Sequence, residues 1–141
     1  MFSRMFYAFM LEEINIKTGR REELTDITEH VRRFAEKQPA KNGLVTVFVP
    51  HTTAAVTINE NADPDVAADM LEQLSEMVPE EKAYAHAEGN SDAHIKASIV
   101  GNSAAVIVEN GRLLLGSWQG IYFAEFDGPR SRKVWLKFTA G

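Results

Sequence analysis

Cysteine is absent from all 141 residues. That excludes disulfides, thiolate metal sites and cysteine nucleophiles, and it suits a reducing compartment. Positive charge is also scarce: 15 Lys and Arg stand against 20 Asp and Glu, for a formal net charge of −5. A surface that grips phosphate backbones needs the reverse balance, so no nucleic-acid partner is expected. The short basic run from Lys17 to Arg21 reads as a solvated turn. Long apolar runs are missing too. Met5 to Leu11 is the nearest approach, but it is too short to span a bilayer. Glu12 and Glu13 follow it with no small-residue cleavage pattern, so it reads as a first strand. No membrane partner and a cytoplasmic location are therefore expected. The chain also lacks a Walker-type phosphate loop, a dinucleotide fingerprint after a strand and a serine nucleophile elbow.

What is present is the patterning of one domain over residues 1–141, with 45% hydrophobic content and no repeat or linker. Phe6 to Lys17 reads as a buried strand with an irregularity, and Gly19 turns it into a short strand at Glu22 to Leu24. Asp26 and Glu29 form a candidate capping box before a helical stripe of Ile27, Val31, Phe34 and Ala35. Leu44 to Val49 and Ala54 to Ile58 read as a hairpin-like pair, or one bent strand, with His51 at the bend. Asp63-Pro64 opens an amphipathic helix through Val66, Met70, Leu74 and Met77. A short helix over about 92–100 is expected to bury Ile95 and Ile99, with Gly101 as its stop. The last forty residues read as strands over 104–108, 113–115, 118–126 and 133–138, with turns at Asn110-Gly111 and Asp127-Gly128. Strands that do not alternate one for one with helices predict an α+β fold, with helices packed on a mixed or antiparallel sheet.

Chemistry concentrates in three stretches. From His86 to His94, two imidazoles, Glu88, Asn90 and Asp92 crowd together around Gly89, a ligand set for a zinc-like ion without thiolates. Backbone N–H groups at the start of the following helix could equally take a phosphate, and the plain alternative is a cap by Asp92. His51-Thr52-Thr53 precedes a strand that Asn59, Glu60 and Asp63 follow. At ~3.3 Å per residue, His51 and Glu60 lie roughly 30 Å apart when extended, so one chain cannot bring both to one ion without a sharp bend. Gly116 to Gly120 carries Trp118 and Gln119, with a bulge or close backbone approach expected at its glycines. Glu125 shares a strand face with Ile121 and Phe123, so it needs a partner, for which Arg130 and Lys96 are candidates. His30 beside the first helical stripe reads as a surface histidine.

Taken together, His51-Thr-Thr-Ala-Ala-Val-Thr-Ile-Asn-Glu-Asn-Ala-Asp-Pro, then His86 to His94 with Ile95-Lys96 and Gly101, then Gly116-Ser-Trp-Gln-Gly and Glu125 to Arg130, resemble the YjbQ family over about residues 43–135. Ser117 stands where threonine is common in that family. The resemblance implies an α+β domain assembled as a homotrimer, with a polar cleft near subunit boundaries. Some members are labelled secondary thiamine-phosphate synthase, which implies a small phosphorylated metabolite as substrate. It also implies a divalent metal ion, zinc-like or magnesium, on His51, His86 and His94. Glu60, Asp63, Asp92, Lys96, Glu125 and Arg130 are then the catalytic candidates, and Thr52, Asn59, Asn90, Trp118 and Gln119 the substrate-binding ones. The alternative is a trimer that binds a metal or metabolite without turning it over.

Overall fold

Arg132, Val134, Leu136 and Phe138 are buried and their neighbours exposed, the period-2 pattern of a strand with one face in a core. In the computed structural model, which describes residues 10–141, this strand lies in the interior of a five-stranded sheet, paired on both sides. The elements run β1 (Leu11–Lys17), β2 (Glu23–Asp26), α1 (Thr28–Glu36), β3 (Gly43–Phe48), β4 (Ala54–Glu60), α2 (Pro64–Met77), α3 (Ser91–Val100), β5 (Ser103–Glu109), β6 (Arg112–Leu113), β7 (Gln119–Glu125) and β8 (Ser131–Ala140). The α+β class holds, but the strands form two antiparallel sheets rather than one. The first has the order β1-β8-β3-β5-β6, the second β2-β7-β4. Among the described residues no helix is long and apolar enough to cross a membrane.

One core fills the space between the inward faces of both sheets and the apolar side of α1, with Val45, Val47, Leu136 and Phe138 meeting Val56, Ile121, Phe123, Val31 and Phe34. Each such side chain contributes roughly 1.5–3 kcal/mol by leaving water. A smaller core lies on the other face of the second sheet, where Ala93 and Ala97 of α3 pack on Ala55, Ala124 and Phe126. This corrects the expected face of α3. Ile95 and Ile99 are 40% and 55% exposed, and the buried side is Asp92, Ala93, Lys96 and Ala97. Small alanines let the helix approach the sheet closely, a demand that a hydrophobicity pattern does not register.

Other boundaries hold with local corrections. Residues 5–9 of the expected first strand lie outside the described residues. From Leu11, β1 is an edge strand that buries only its Ile14 and Ile16 face, not both. Asp63 caps α2 by accepting from the Asp65 N–H at 2.9 Å, with Pro64 in the first turn. The expected capping box of α1 does not form: Ile27 holds the cap position without a side-chain hydrogen bond, Asp26 accepts the Thr28 N–H from one residue further out, and Glu29 pairs with Arg32. Asn110 and Gly111 both adopt positive φ and join β5 to β6 as a hairpin. The β3–β4 connection is not a hairpin. β3 pairs with β5 and β8, β4 with β7, so Pro50 to Thr53 carries the chain from one sheet to the other.

Candidate functional site

Three such crossings meet at one end of the sandwich. Besides 49–53, the chain passes between the sheets at 18–22 and back at 126–130. They are stitched together: Phe126 N–H donates to Thr53 O at 3.2 Å, Thr18 N–H to Arg130 O at 3.0 Å, and Gly128 N–H to Arg21 O at 3.0 Å. The first turn of α3 lies against this junction. Long-range pairing thus places His51, His94, Asn90, Asp127 and Arg130 around one open cleft of about 360 Å³, with Thr52 and Glu88 also in its wall. His51, Thr52 and His94 also face an adjoining hollow bounded by Ala97 and Asn102.

The floor is a buried ion pair. Glu125, fully buried, takes the Arg132 guanidinium on both carboxylate oxygens, the Thr18 hydroxyl at 2.8 Å and the Asp127 N–H at 3.1 Å. Arg132 also donates to Thr53 Oγ1 at 2.8 Å. Burial alone would raise the Glu125 carboxyl, but Arg132 and the other donors hold it below the usual carboxylate range. The partner is therefore Arg132, not Arg130 or Lys96: both Glu125 and Arg132 point from their strands into the space between the sheets. Arg132 opens the alternating apolar face of β8, and that alternation is its only sign in the sequence.

A second buried network anchors α3. Asp92, fully buried, receives the Arg21 guanidinium through two bonds of 3.1 Å and the Lys96 ammonium at 3.0 Å. Lys96, 1% exposed, also binds Glu22, which accepts from the Ser75 hydroxyl at 2.7 Å. Desolvation works against the Asp92 charge, but Arg21 and Lys96 outweigh it and lower its pKa. Arg21 is thus an anchor rather than part of a solvated turn. Asp92 and Lys96 face this network, and neither lines the cleft.

The rim is different in kind. His51 Nε2 accepts the Lys133 N–H at 2.9 Å. Burial, and then the nearby Arg132 charge, lower its pKa, and an Nε2 that accepts a backbone N–H leaves the proton of the neutral ring on Nδ1. Arg130 donates to Asp127 through Nε at 2.8 Å and Nη2 at 3.1 Å, leaving its other guanidinium donors for a ligand. Asp127 also accepts from Asn90 Nδ2 at 2.9 Å, and so fixes two rim side chains at once. That role was hidden because Asp127-Gly128 reads as an ordinary turn. Asn90 Oδ1 is buried without a hydrogen-bond partner among the described residues, which a ligand donor would satisfy. Asn90 precedes α3 without a side-chain cap, so the positive end of that helix also faces the junction.

His86 and His94 meet edge to face with ring centres 5.7 Å apart, and His86 Nε2 lies 3.6 Å from Glu88. Among the described residues of one chain, no three His or carboxylate groups form a set that could hold a metal. His51, which lines the cleft with Nε2 engaged by the backbone, has in this form a donor on Nδ1 rather than a free ligand nitrogen. The three imidazoles of a single chain therefore do not fit a metal ion as arranged.

The remaining candidates sit at the far end of β4, whose regular register with β7 keeps it extended. There Asn61 donates to Asp26 at 3.1 Å, and its side chain lies where a Cβ on Gly120 would fall, the close approach expected at that glycine. Gln119 caps the Gly116 N–H at 2.8 Å, and Trp118 is 64% exposed. Gln119, Asn61 and Asp26 border a polar pocket of their own. Asn59 and Asp63 are exposed and Glu60 half-buried at this end. One chain does not bring Asn59, Glu60, Asp63, Trp118 or Gln119 to the His51 cleft.

Comparison with known proteins gives a consistent result. The family model described as UPF0047 protein YjbQ-like matches residues 12–141. UPF0047 protein YugU of Bacillus subtilis is 54% identical over 129 residues, covering 91% of this chain and 98% of its own. UPF0047 protein MJ1081 of Methanocaldococcus jannaschii is 52% identical over 128 residues, with coverages of 91% and 93%. A crystal structure of an uncharacterised YjbQ/UPF0047 protein from Clostridium acetobutylicum superposes with a TM-score of 0.89 at 52% identity, covering 91% of this chain and 99% of that one. A Sulfolobus solfataricus protein described as of unknown function gives 0.89 at 33% identity, with coverages of 93% and 96%.

Proposed function

The chain belongs to the UPF0047 YjbQ-like family, and from that premise we propose that the His51–Arg130 cleft binds a small phosphorylated metabolite and acts on it. The observation that carries this reading is the convergence of unsatisfied donors on one open cleft. These are the remaining guanidinium N–H groups of Arg130, His51 Nδ1–H and the N-terminal turn of α3. Such groups stabilise phosphate charge without reorganising, which is how a site favours a departing anion. Thr52 lies in the same wall, and His94 borders it from α3.

In the synthase version, the C–O bond between a pyrimidine-methyl carbon and its diphosphate breaks. The thiazole nitrogen of the second substrate then attacks that carbon, and pyrophosphate leaves with the bonding electrons. Arg130 receives the developing charge, and His51 orients the phosphate. Lys96 and Glu125 serve indirectly, by holding α3 and the sheet junction. A cytoplasmic homotrimer is part of the reading. The outer face of the first sheet exposes Leu44, Phe48, Ile107 and Trp135, and exposed apolar area of this kind marks association surfaces. In that assembly Glu60, Asp63, Asn59, Trp118 and Gln119 act on substrate from a neighbouring subunit.

A second reading, a divalent ion on the histidines, is favoured by the His86–His94 contact. It requires ligands from another subunit, and metal analysis of the purified protein with and without chelator tests it.

Calorimetric titration with pyrophosphate tests the main reading. Saturable binding that Arg130→Ala weakens by about tenfold, near the worth of one charge-assisted contact, supports it. Absence of binding sinks it. Turnover of a pyrimidine-methyl diphosphate at equal rates by wild type and His94→Ala, with binding intact, favours a non-catalytic binder.

A further inference from the structure

α2 runs fourteen residues without burying one side chain. It is nevertheless amphipathic: Val66, Met70 and Leu74 lie on one stripe, where they form with Ile99 and Val100 of α3 an open groove of about 530 Å³. Ile99 is 55% exposed, and Met77, which ends the helix, 59%. Val66, Met70 and Leu74 are only half-buried, with Leu71 and Leu74 resting on the second core, so the side of the stripe that opens on the groove has room for a further partner.

Charge indicates which partner. Between Lys41 and Lys82 the sequence contains no lysine or arginine, while Glu60, Asp63, Asp65, Asp69, Glu72, Glu76, Glu80 and Glu81 fall in that interval. Asp69 lines the groove, and Asp65, Glu72 and Glu76 are exposed on the same helix. A methionine-containing apolar trough beside acidic side chains is complementary to a helix with apolar anchors one turn apart and lysine or arginine around them. A second copy of this chain offers no such helix among the described residues. α1 carries Arg32 and Arg33, but its apolar side, Val31, Phe34 and Ala35, is buried in its own core.

We infer that the α2–α3 groove is a docking site for a cationic amphipathic helix of another protein. Val66, Met70, Leu74 and Ile99 receive the anchors, and the α2 carboxylates pair with the flanking cations. This surface is separate from the His51 cleft and independent of its chemistry. The test is fluorescence anisotropy of a labelled helical peptide of about fourteen residues, leucines at i, i+3, i+4 and i+7 and lysines elsewhere, titrated with the full chain. Saturable binding is expected, weakened about tenfold or more by Met70→Glu, by Ile99→Glu and by the charge reversal Asp69→Lys/Glu72→Lys. Asp69, Glu72 and Ile99 are exposed and Met70 is half-buried, and circular dichroism checks that each variant stays folded. A peptide with glutamate in place of lysine should fail to bind. No saturation up to about 1 mM peptide or protein would overturn the inference. So would equal affinity of wild type and Met70→Glu, or a fall in oligomeric mass of Met70→Glu by light scattering, which would make a second copy the occupant.

Discussion

The floor and the rim of the cleft are made of neighbouring residues held in opposite ways. Beneath the cleft, Glu125 in its floor and Asp92 in the network that anchors α3 are fully buried charges with cationic partners on both oxygens. On the rim, His51, Asn90 and Arg130 each use part of their hydrogen-bonding capacity on the protein and keep the rest. The contrast separates two roles that residue type alone confounds. A carboxylate whose acceptors are saturated inside the fold supports the site, and a donor left over in an open cleft meets the ligand. Substitutions of the buried charges should therefore cost stability, and rim substitutions should cost binding.

The largest effect should come from Glu125→Ala. It strands Arg132 in the core and should lower stability by about 3–5 kcal/mol in denaturant unfolding. The double variant Glu125→Leu/Arg132→Met, which removes both charges, should recover much of that loss. Next, Asp92→Asn leaves Arg21 and Lys96 facing an uncharged amide, and about 2–3 kcal/mol is expected because Arg21 is partly solvated. Acidification probes the same floor without mutation. Glu125 and Asp92 have lowered pKa values, so their contribution is complete above the unfolded carboxylate pKa of about 4 and is lost as pH falls through the depressed folded values. His51 is also lowered, so a smaller loss starts as pH falls below its unfolded value of about 6.5. Unfolding curves across pH should show both steps, and His51→Gln should remove only the upper one. Smallest in stability are Arg130→Ala and His94→Ala, each within about 0.5 kcal/mol of wild type, because both side chains lie at the open rim. Finding them as costly as Glu125→Ala would erase the distinction.

Much of this could be read from residue order, for local reasons. Asp63-Pro64 starts α2, Asn110-Gly111 turns β5 into β6, and alternation reveals β8 because each signal acts within a few residues. The separation of His51 from Glu60 followed from strand length alone, and the extended β4 bears it out. What was not legible depends on distant partners. Pro50 to Thr53 carries no mark that distinguishes a hairpin from a passage between sheets. The pairing of Glu125 with Arg132, and of Asp92 with Arg21, is set by where three crossings converge. α3 misled for a different reason, since its buried face is chosen by the closeness of the sheet and not by side-chain hydrophobicity.

The most direct test of the rim as a phosphate-binding surface is an NMR titration of the histidine ring protons with pyrophosphate. His30, exposed on α1 away from the cleft, serves as the internal control. His51 and His94 should shift together and saturate, His30 should stay in place, and Arg130→Ala should weaken the response. Unmoved His51 and His94 resonances, or equal drift of all the histidines, would contradict it.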